Sequence, residues 1–259
     1  MGFGPLRVIN EDRVAPGAGF PSHGHANMEI LSYVLDGALA HRDDAGGGGE
    51  LAPGALQWMS AGHGVTHSEF NASGSAEVHF LQVWIQPDRV NAAPAWASRD
   101  FPLDARRGRW VLLASPDGAD GSLAIRQDAR LQGALLEAGG AVEHALAPGR
   151  RYWLHLARGR AAVEGPGGPL DPFDLSKDWA RSDDDQVRPD PVGRADEGLG
   201  GVALLVVGAD ADLLAPVPPG DRRLPHPDPI PTPARPRDDG DGRQPRRIRA
   251  ASSAPPGAR

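Results

Sequence analysis

The chain has 259 residues, a formal net charge of −7 and no cysteine. This length accommodates one large or two small domains. The negative charge argues against a general nucleic-acid binder, and the lack of cysteine excludes disulfides and thiolate metal sites. No run of roughly 18 apolar residues occurs, so no membrane-spanning helix is expected. Residues 1–13 have no apolar signal core, and we therefore expect a cytoplasmic protein.

Short predicted strands follow one another through the first half of the chain. They are rich in Val, Ile and Leu, and turns containing Gly or Pro separate them. Asp36-Gly37 is a strong hairpin signal. Closely spaced strands without a long amphipathic helix indicate a β-sandwich or barrel. The predicted strands are residues 6–10, 28–35, 38–42, 55–59 and 78–85.

Two pairs of potential metal ligands lie in the same half. His23 and His25 are two residues apart, and so are His67 and Glu69. Residues i and i+2 of a strand point to the same face, so each pair can aim two ligands at one point. Three imidazoles and one carboxylate suit a borderline divalent ion such as iron, copper, nickel, zinc or manganese.

A second set of strands is predicted after a connector rich in Pro, Ala, Asn and Arg. This half contains His144 and His155 but no His-x-His pair, so we expect no second metal site. Beyond residue 165 Pro, Asp, Arg and Gly dominate, and such a segment buries too little apolar surface to offset chain entropy. Residues 202–207 could form one strand there, whereas the basic cluster 243–249 is expected to be solvated. The predicted strands before the tail are residues 110–114, 123–127, 129–136, 152–157 and 159–165.

The motifs around the histidines resemble those of the cupin barrel and, more specifically, those of pirin. The first cupin motif is nearly followed by Gly17, His23, His25, Glu29 and Gly37. The phrases Gln-Trp-Met-Ser-Ala-Gly at 57–62 and His-Ser-Glu at 67–69 are similar to the pirin version of the second motif. Residues 29–37 and 81–85 are also pirin-like, and the resemblance covers roughly residues 2–165.

The resemblance implies an all-β protein with two cupin units, each a jelly-roll β-barrel. Residues 1–90 would form an N-terminal metal-binding cupin domain, 91–108 a linker and 109–165 a C-terminal cupin-like domain that could be incomplete. Residues 166–259 would be an atypical, mostly disordered tail. The chain also starts at a point that lies inside pirins, so the usual N-terminal segment is expected to be missing.

What the resemblance implies about the site is more specific. One divalent transition metal would be held by His23, His25, His67 and Glu69, with iron as the first expectation and copper, nickel, zinc, manganese or cobalt as alternatives. Pirins use the later glutamate, and Glu69 would also be the catalytic base. Glu29 is also a candidate for the fourth ligand, because its spacing from His25 would place it on the same face. It is the weaker candidate because pirins use the later glutamate.

The activity implied is cleavage of a flavonol with O2, of the quercetin 2,3-dioxygenase type, by a monomeric protein that binds neither nucleic acid nor membrane. Two alternatives stay open at this point. One is a non-catalytic, metal-binding protein that senses redox state and regulates a partner. The other is a different cupin reaction, such as isomerisation of a small molecule.

Overall fold

The computed structural model describes residues 3–147, 149–159, 161–165, 168–170, 202–210 and 247–252. Within these ranges the regular structure is β-strand apart from two short 3-10 helices, Leu103–Arg106 and Ala119–Gly121. No helix in the described ranges is long and apolar enough to cross a bilayer.

The first unit contains nine strands in two facing sheets. The strands are β1 (Leu6–Val14), β2 (Gly19–His25), β3 (Glu29–Asp36), β4 (Leu39–Asp43), β5 (Gly48–Leu51), β6 (Ala55–Ser60), β7 (Val65–Asn71), β8 (Val78–Ile85) and β9 (Ala95–Asp100). One sheet has the order β1-β8-β3-β6-β9 and the other β2-β7-β4-β5. All neighbouring strands are antiparallel, as in a jelly roll.

In the described part of the chain the second unit also has nine strands in a five-stranded and a four-stranded sheet, and all of its neighbouring strands are antiparallel except the parallel pair β10 and β11. Its strands are β10 (Val111–Ser115), β11 (Leu123–Ala124), β12 (Ala129–Leu136), β13 (Ala141–Ala145), β14 (Arg150–Arg158), β15 (Ala161–Gly165), β16 (Gly168–Leu170), β17 (Val202–Asp210) and β18 (Arg247–Ser252). The five-stranded sheet has the order β11-β10-β12-β17-β14, and the four-stranded sheet β13-β18-β15-β16. The expected fold class, all-β with two cupin units, is confirmed.

Strands β9, β17 and β18 lie outside the bounds that the sequence predicts for the two units. Strand β9, which falls in the predicted linker 91–108, is an edge strand of the first sheet and pairs with β6. Strands β17 and β18 fall in the predicted tail 166–259, yet β17 lies between β12 and β14, and β18 between β13 and β15. Each supplies backbone partners to the strands on both sides, so the second unit extends beyond residue 165. The expected strand at 202–207 is confirmed.

Two arginines of the basic cluster 243–249 lie on β18. Arg247 and Arg249 are both exposed to solvent there, as expected, and Arg247 pairs with Glu143 of β13 at 3.1 Å. The disorder predicted for the rest of the tail concerns residues 171–201, 211–246 and 253–259, which lie outside the described residues.

The turn at Asp36-Gly37 does not make a hairpin, so that prediction is wrong. Gly37 has φ +74°, and a Cβ atom at this position would collide with the backbone of Glu77 and Val78, so glycine is required here. The turn carries the chain from β3 in one sheet to β4 in the other, and the two strands do not pair with each other.

The long apolar run in β3 reflects burial on both of its faces. Leu31 and Tyr33 belong to a hydrophobic cluster that also contains Leu113 and Leu131 of the second unit, so the two units pack through this face. Val34, on the opposite face, packs with residues inside the first barrel. A strand covered on both sides is apolar at nearly every position, which explains why the run does not alternate.

Candidate metal centre

The three histidines expected as ligands converge inside the first barrel. Strands β2 and β7 are antiparallel neighbours, and His23 lies directly opposite His67 in their register. Their Nε2 atoms are 3.0 Å apart. The potential ligand atoms of His23, His25 and His67 all lie within 4.8 Å of one another.

The sequence of β7 explains why its polar side chains point inward. Burial alternates along the strand: His67 and Glu69 are each 2% exposed, whereas Phe70 is 40% exposed. Because neighbouring side chains of a strand point to opposite faces, His67 and Glu69 share the face that looks into the barrel. As predicted, residues two apart on this strand point to the same face of the sheet.

Hydrogen bonds fix the orientation of two of the imidazoles. Nδ1 of His23 lies 2.8 Å from the carbonyl oxygen of Pro21; a carbonyl only accepts, so Nδ1 carries the proton and Nε2 keeps its lone pair. Nδ1 of His67 lies 3.1 Å from Nε2 of His41. Nε2 of His25 is buried and has no hydrogen-bond partner among the described residues.

Burial keeps His25 and His67 uncharged at neutral pH. It lowers the pKa of His25 to about 4, and the nearby His23 lowers it further. Burial likewise lowers the pKa of His67 to about 3, with smaller contributions from His23, His25 and His41. Neutral imidazoles have the lone pairs that metal ions need. The cluster is therefore ready to accept a cation at neutral pH.

Glu69 lies in the same barrel but outside the compact group of three histidines. Its Oε1 accepts a hydrogen bond from Oγ of Ser32 at 3.0 Å, and its Oε2 accepts one from Nε2 of Gln82 at 2.7 Å. Burial raises the pKa of Glu69, although the bonds from Gln82 and Ser32 and the field of His23 oppose that shift.

A short chain of hydrogen bonds supports Glu69 from behind. Nε1 of Trp84 donates to Oε1 of Gln82 at 2.9 Å, and Gln82 in turn donates to Glu69. The Trp84 ring also meets the edge of His25, with ring centroids 5.0 Å apart. The hydrogen-bonding roles of Ser32, Gln82 and Trp84 were not predicted from the sequence. A polar residue at an inward position of an otherwise apolar strand was the available signal, and both Ser32 and Gln82 satisfy it.

The expectation that Glu29 faces the histidines is wrong. Its Oε2 accepts hydrogen bonds from Nε1 of Trp58 at 2.6 Å and from the backbone N–H of Arg126 at 3.0 Å. Glu29 is fully buried on the face of β3 that contacts the second unit. The turn between β2 and β3 breaks the alternation between His25 and Glu29, so counting residues across it gave the wrong face.

Two histidines outside the cluster lie where the two units meet. Nε2 of His79 is 2.7 Å from Oε1 of Glu11, and Nε2 of His155 is 3.8 Å from Oε2 of the same residue. Burial opposes ionisation of Glu11, but its interactions with His155 and His79 hold its pKa at about 2. These two histidines contact a carboxylate and not the cluster of His23, His25 and His67.

Comparisons with known proteins agree with this architecture. The family model described as pirin matches residues 2–85, and the model of the quercetinase C-terminal cupin domain matches residues 112–167. A pirin-like protein of Caulobacter vibrioides is 44% identical over 167 residues, which cover 64% of this chain and 71% of that protein. A quercetin 2,3-dioxygenase of Escherichia coli K12 is 42% identical over 166 residues, covering 64% and 70%.

A solved structure gives the same result at the level of the fold. The crystal structure of the bacterial pirin YhhW from Escherichia coli, in complex with nickel(II), aligns with a TM-score of 0.62. The sequence identity is 30%, and the alignment covers 81% of this chain and 84% of that one. Because the two relatives compared by sequence are each matched over more than two thirds of their length at above 40% identity, the chain belongs to the pirin family.

Proposed function

We propose that the protein is a metal-dependent dioxygenase that cleaves flavonols, as quercetin 2,3-dioxygenases do. One observation carries the proposal: three histidines converge in the first barrel, which also contains a buried glutamate. Relatives named quercetin 2,3-dioxygenase support the reaction type. We propose His23, His25, His67 and Glu69 as the metal ligands, with Glu69 also the catalytic base.

The residues fit a divalent transition metal. Nε2 of His23 keeps its lone pair, and Nε2 of His25 is a buried polar atom without a partner in the described part of the chain. A buried polar atom without a hydrogen-bond partner is rare unless a ligand or an ion contacts it. Imidazole donors suit iron, nickel, copper and zinc alike. The nickel in the related pirin structure supports a borderline divalent ion, and iron is the ion we propose first.

Glu69 has the properties of a general base. Burial raises its pKa, so the carboxylate holds an accepted proton more strongly than an exposed glutamate does. In the proposed reaction it removes the proton of the flavonol ring hydroxyl, while Ser32 and Gln82 hold it in position. When bound, the metal would stabilise the resulting anion and supply the electron-transfer chemistry that O2 requires. In the proposed reaction the interior of the barrel holds the flavonol and O2 close together, and this proximity lowers the activation barrier.

The test separates metal binding from turnover. His23→Ala and His67→Ala should each abolish stoichiometric metal, whereas His63→Ala, which changes an exposed loop histidine, should retain it. Glu69→Gln should lose more turnover per bound metal ion than its loss of metal explains. Turnover is measured as oxygen uptake and carbon monoxide release with several flavonols, in air and under argon. Metal-loaded protein that consumes no oxygen would exclude the dioxygenase and favour a non-catalytic metal-binding protein.

A further inference from the structure

The second barrel has a cavity of its own, lined in part by polar side chains and formed by residues other than the candidate metal ligands. Its volume is about 330 Å³. Ala134 and Leu136 of β12, and Leu154 and Leu156 of β14, pack in the hydrophobic cluster inside this barrel, so side chains two residues earlier on each strand also point inward. The described lining consists of Arg130, Gln132, His144, Ala145, Ala147, Arg150 and Tyr152.

Polar groups beside this cavity lack partners. Oε1 of Gln132 and Nε1 of Trp110 are buried and have no hydrogen-bond partner among the described residues, which is unusual for buried polar atoms. Oη of Tyr152 accepts the backbone N–H of Ala147 at 2.8 Å. The hydroxyl proton of Tyr152 is therefore available for a ligand, because accepting a bond does not use it.

One wall of the cavity is aromatic. The His144 ring meets Trp110 and Tyr152 edge-on, with ring centroids 5.7 Å and 5.2 Å away. Rings in this arrangement offer faces and edges on which a further aromatic ring can pack. Burial lowers the pKa of His144, so this wall is uncharged at neutral pH.

The net charge of the lining is positive. Arg150 is paired with both carboxylate oxygens of Asp128, at 3.0 Å and 2.9 Å. Arg130 has no carboxylate oxygen within 4.0 Å among the described residues, and Asp117 is influenced by it only through longer-range electrostatics. One guanidinium is therefore left to pair with an anion, and guanidinium groups bind carboxylates well.

We propose that this cavity binds a small aromatic monocarboxylate with a ring hydroxyl. Arg130 pairs with its carboxylate, the ring packs against His144 and Tyr152, and the ring hydroxyl exchanges hydrogen bonds with Gln132. The volume equals about eleven water molecules at roughly 30 Å³ each, which is enough for one substituted aromatic ring.

Calorimetric titration of the full chain with 4-hydroxybenzoate tests the proposal. We expect one molecule bound per chain, binding at least tenfold weaker in Arg130→Gln, and weaker binding in Tyr152→Phe. Arg151→Gln is the matched control, because Arg151 is exposed on the opposite face of β14 and its loss should change nothing. The neutral analogue 4-hydroxybenzamide should bind at least tenfold more weakly than the acid.

Further measurements determine which of the two barrels contains the binding site. His67→Ala should retain full binding, because it alters only the first barrel. Loss of binding in His67→Ala with retention in Arg130→Gln would overturn the proposal, as would equal binding of the acid and the amide or no binding at millimolar acid. Thermal unfolding checks that each variant is folded. If Tyr152→Phe unfolds through loss of its bond to Ala147, Arg130→Gln is used to test the proposal, because Arg130 is exposed and its substitution should leave the fold intact.

Discussion

Nε2 of His41 lies 3.1 Å from Nδ1 of His67, directly behind one of the proposed metal ligands. Both residues are buried, at 4% and 2% exposure, and they come from neighbouring strands β4 and β7. A partner in this position sets the ring orientation and the tautomer of a ligand histidine. His41 is therefore part of the reason that Nε2 of His67 points at His23.

His41→Leu should weaken metal binding without removing a ligand. The substitution deletes the hydrogen bond that orients His67, and losses of such partners typically reduce metal affinity about 10–100-fold. Competition with a chromophoric chelator measures the affinity. His63→Ala serves as the control, and an unchanged affinity in His41→Leu would contradict the positioning role.

Glu29→Ala should destabilise the fold while leaving the metal stoichiometry intact. The variant removes the acceptor for Nε1 of Trp58 and for the backbone N–H of Arg126, and two partly buried donors without partners cost about 2 kcal/mol of unfolding free energy. Denaturant unfolding of the metal-free protein measures this loss. Glu29→Gln, which keeps an acceptor oxygen, should lose less.

The two glutamates should differ in their effect on metal binding. Glu69→Gln removes a proposed ligand, whereas Glu29→Gln changes a residue held by Trp58 and Arg126. Metal content after exhaustive dialysis should therefore fall further in Glu69→Gln. The reverse order would show that the fourth ligand is wrongly assigned.

Gln82→Leu should move the acidic limb of the turnover profile to higher pH. The bond from Gln82 opposes the burial that raises the pKa of Glu69, so its removal raises that pKa further. A base acts in its ionised form, hence activity would appear only at higher pH. Ser32→Ala should shift the limb in the same direction. Initial rates per bound metal over a pH series provide the measurement, and a shift to lower pH in both variants would argue against Glu69 as the base.

The metal-free protein should lose stability as the pH falls below about 6.5. The pKa values of His25 and His67 are lowered from 6.5 to about 4 and about 3 in the fold. Between these values and 6.5 the unfolded chain binds more protons than the folded one, so acid favours unfolding in this range. Above 6.5 both states are neutral at these sites and the effect vanishes.

The substitution His67→Gln separates the contribution of His67 to this acid sensitivity from that of the other titrating groups. The melting temperature of the variant should fall less steeply than that of the wild type between pH 6.5 and about pH 4. Parallel curves for the two proteins over that range would show that His67 is not responsible for the acid sensitivity.

The proposed ligands could be predicted from the sequence because their signal is local. His23 and His25, like His67 and Glu69, lie two residues apart within single strands, and strand geometry alone brings each pair to one face. Glu29 was placed wrongly because a turn separates it from His25. The roles of Gln82 and His41 depend on which strands become neighbours, and no local pattern carries that information.

The second unit shows the same division between local and non-local signals. The apolar run in β17 identified a strand, but not that it joins β12 to β14. Strand β18, with the sequence Arg-Ile-Arg-Ala-Ala-Ser, has little intrinsic preference for an extended strand. It acquires that structure from β13 and β15, which pair with it on both sides.

The place of β17 in the middle of its sheet has a consequence for synthesis on the ribosome. Strands β12 and β14 are complete by residue 158, but the strand that joins them begins only at residue 202. At roughly 5–20 residues per second, their facing edges stay unpaired for several seconds after translation of β14. During that interval the nascent chain presents open strand edges, which other chains can pair with, while the strands of the first barrel have already been synthesised.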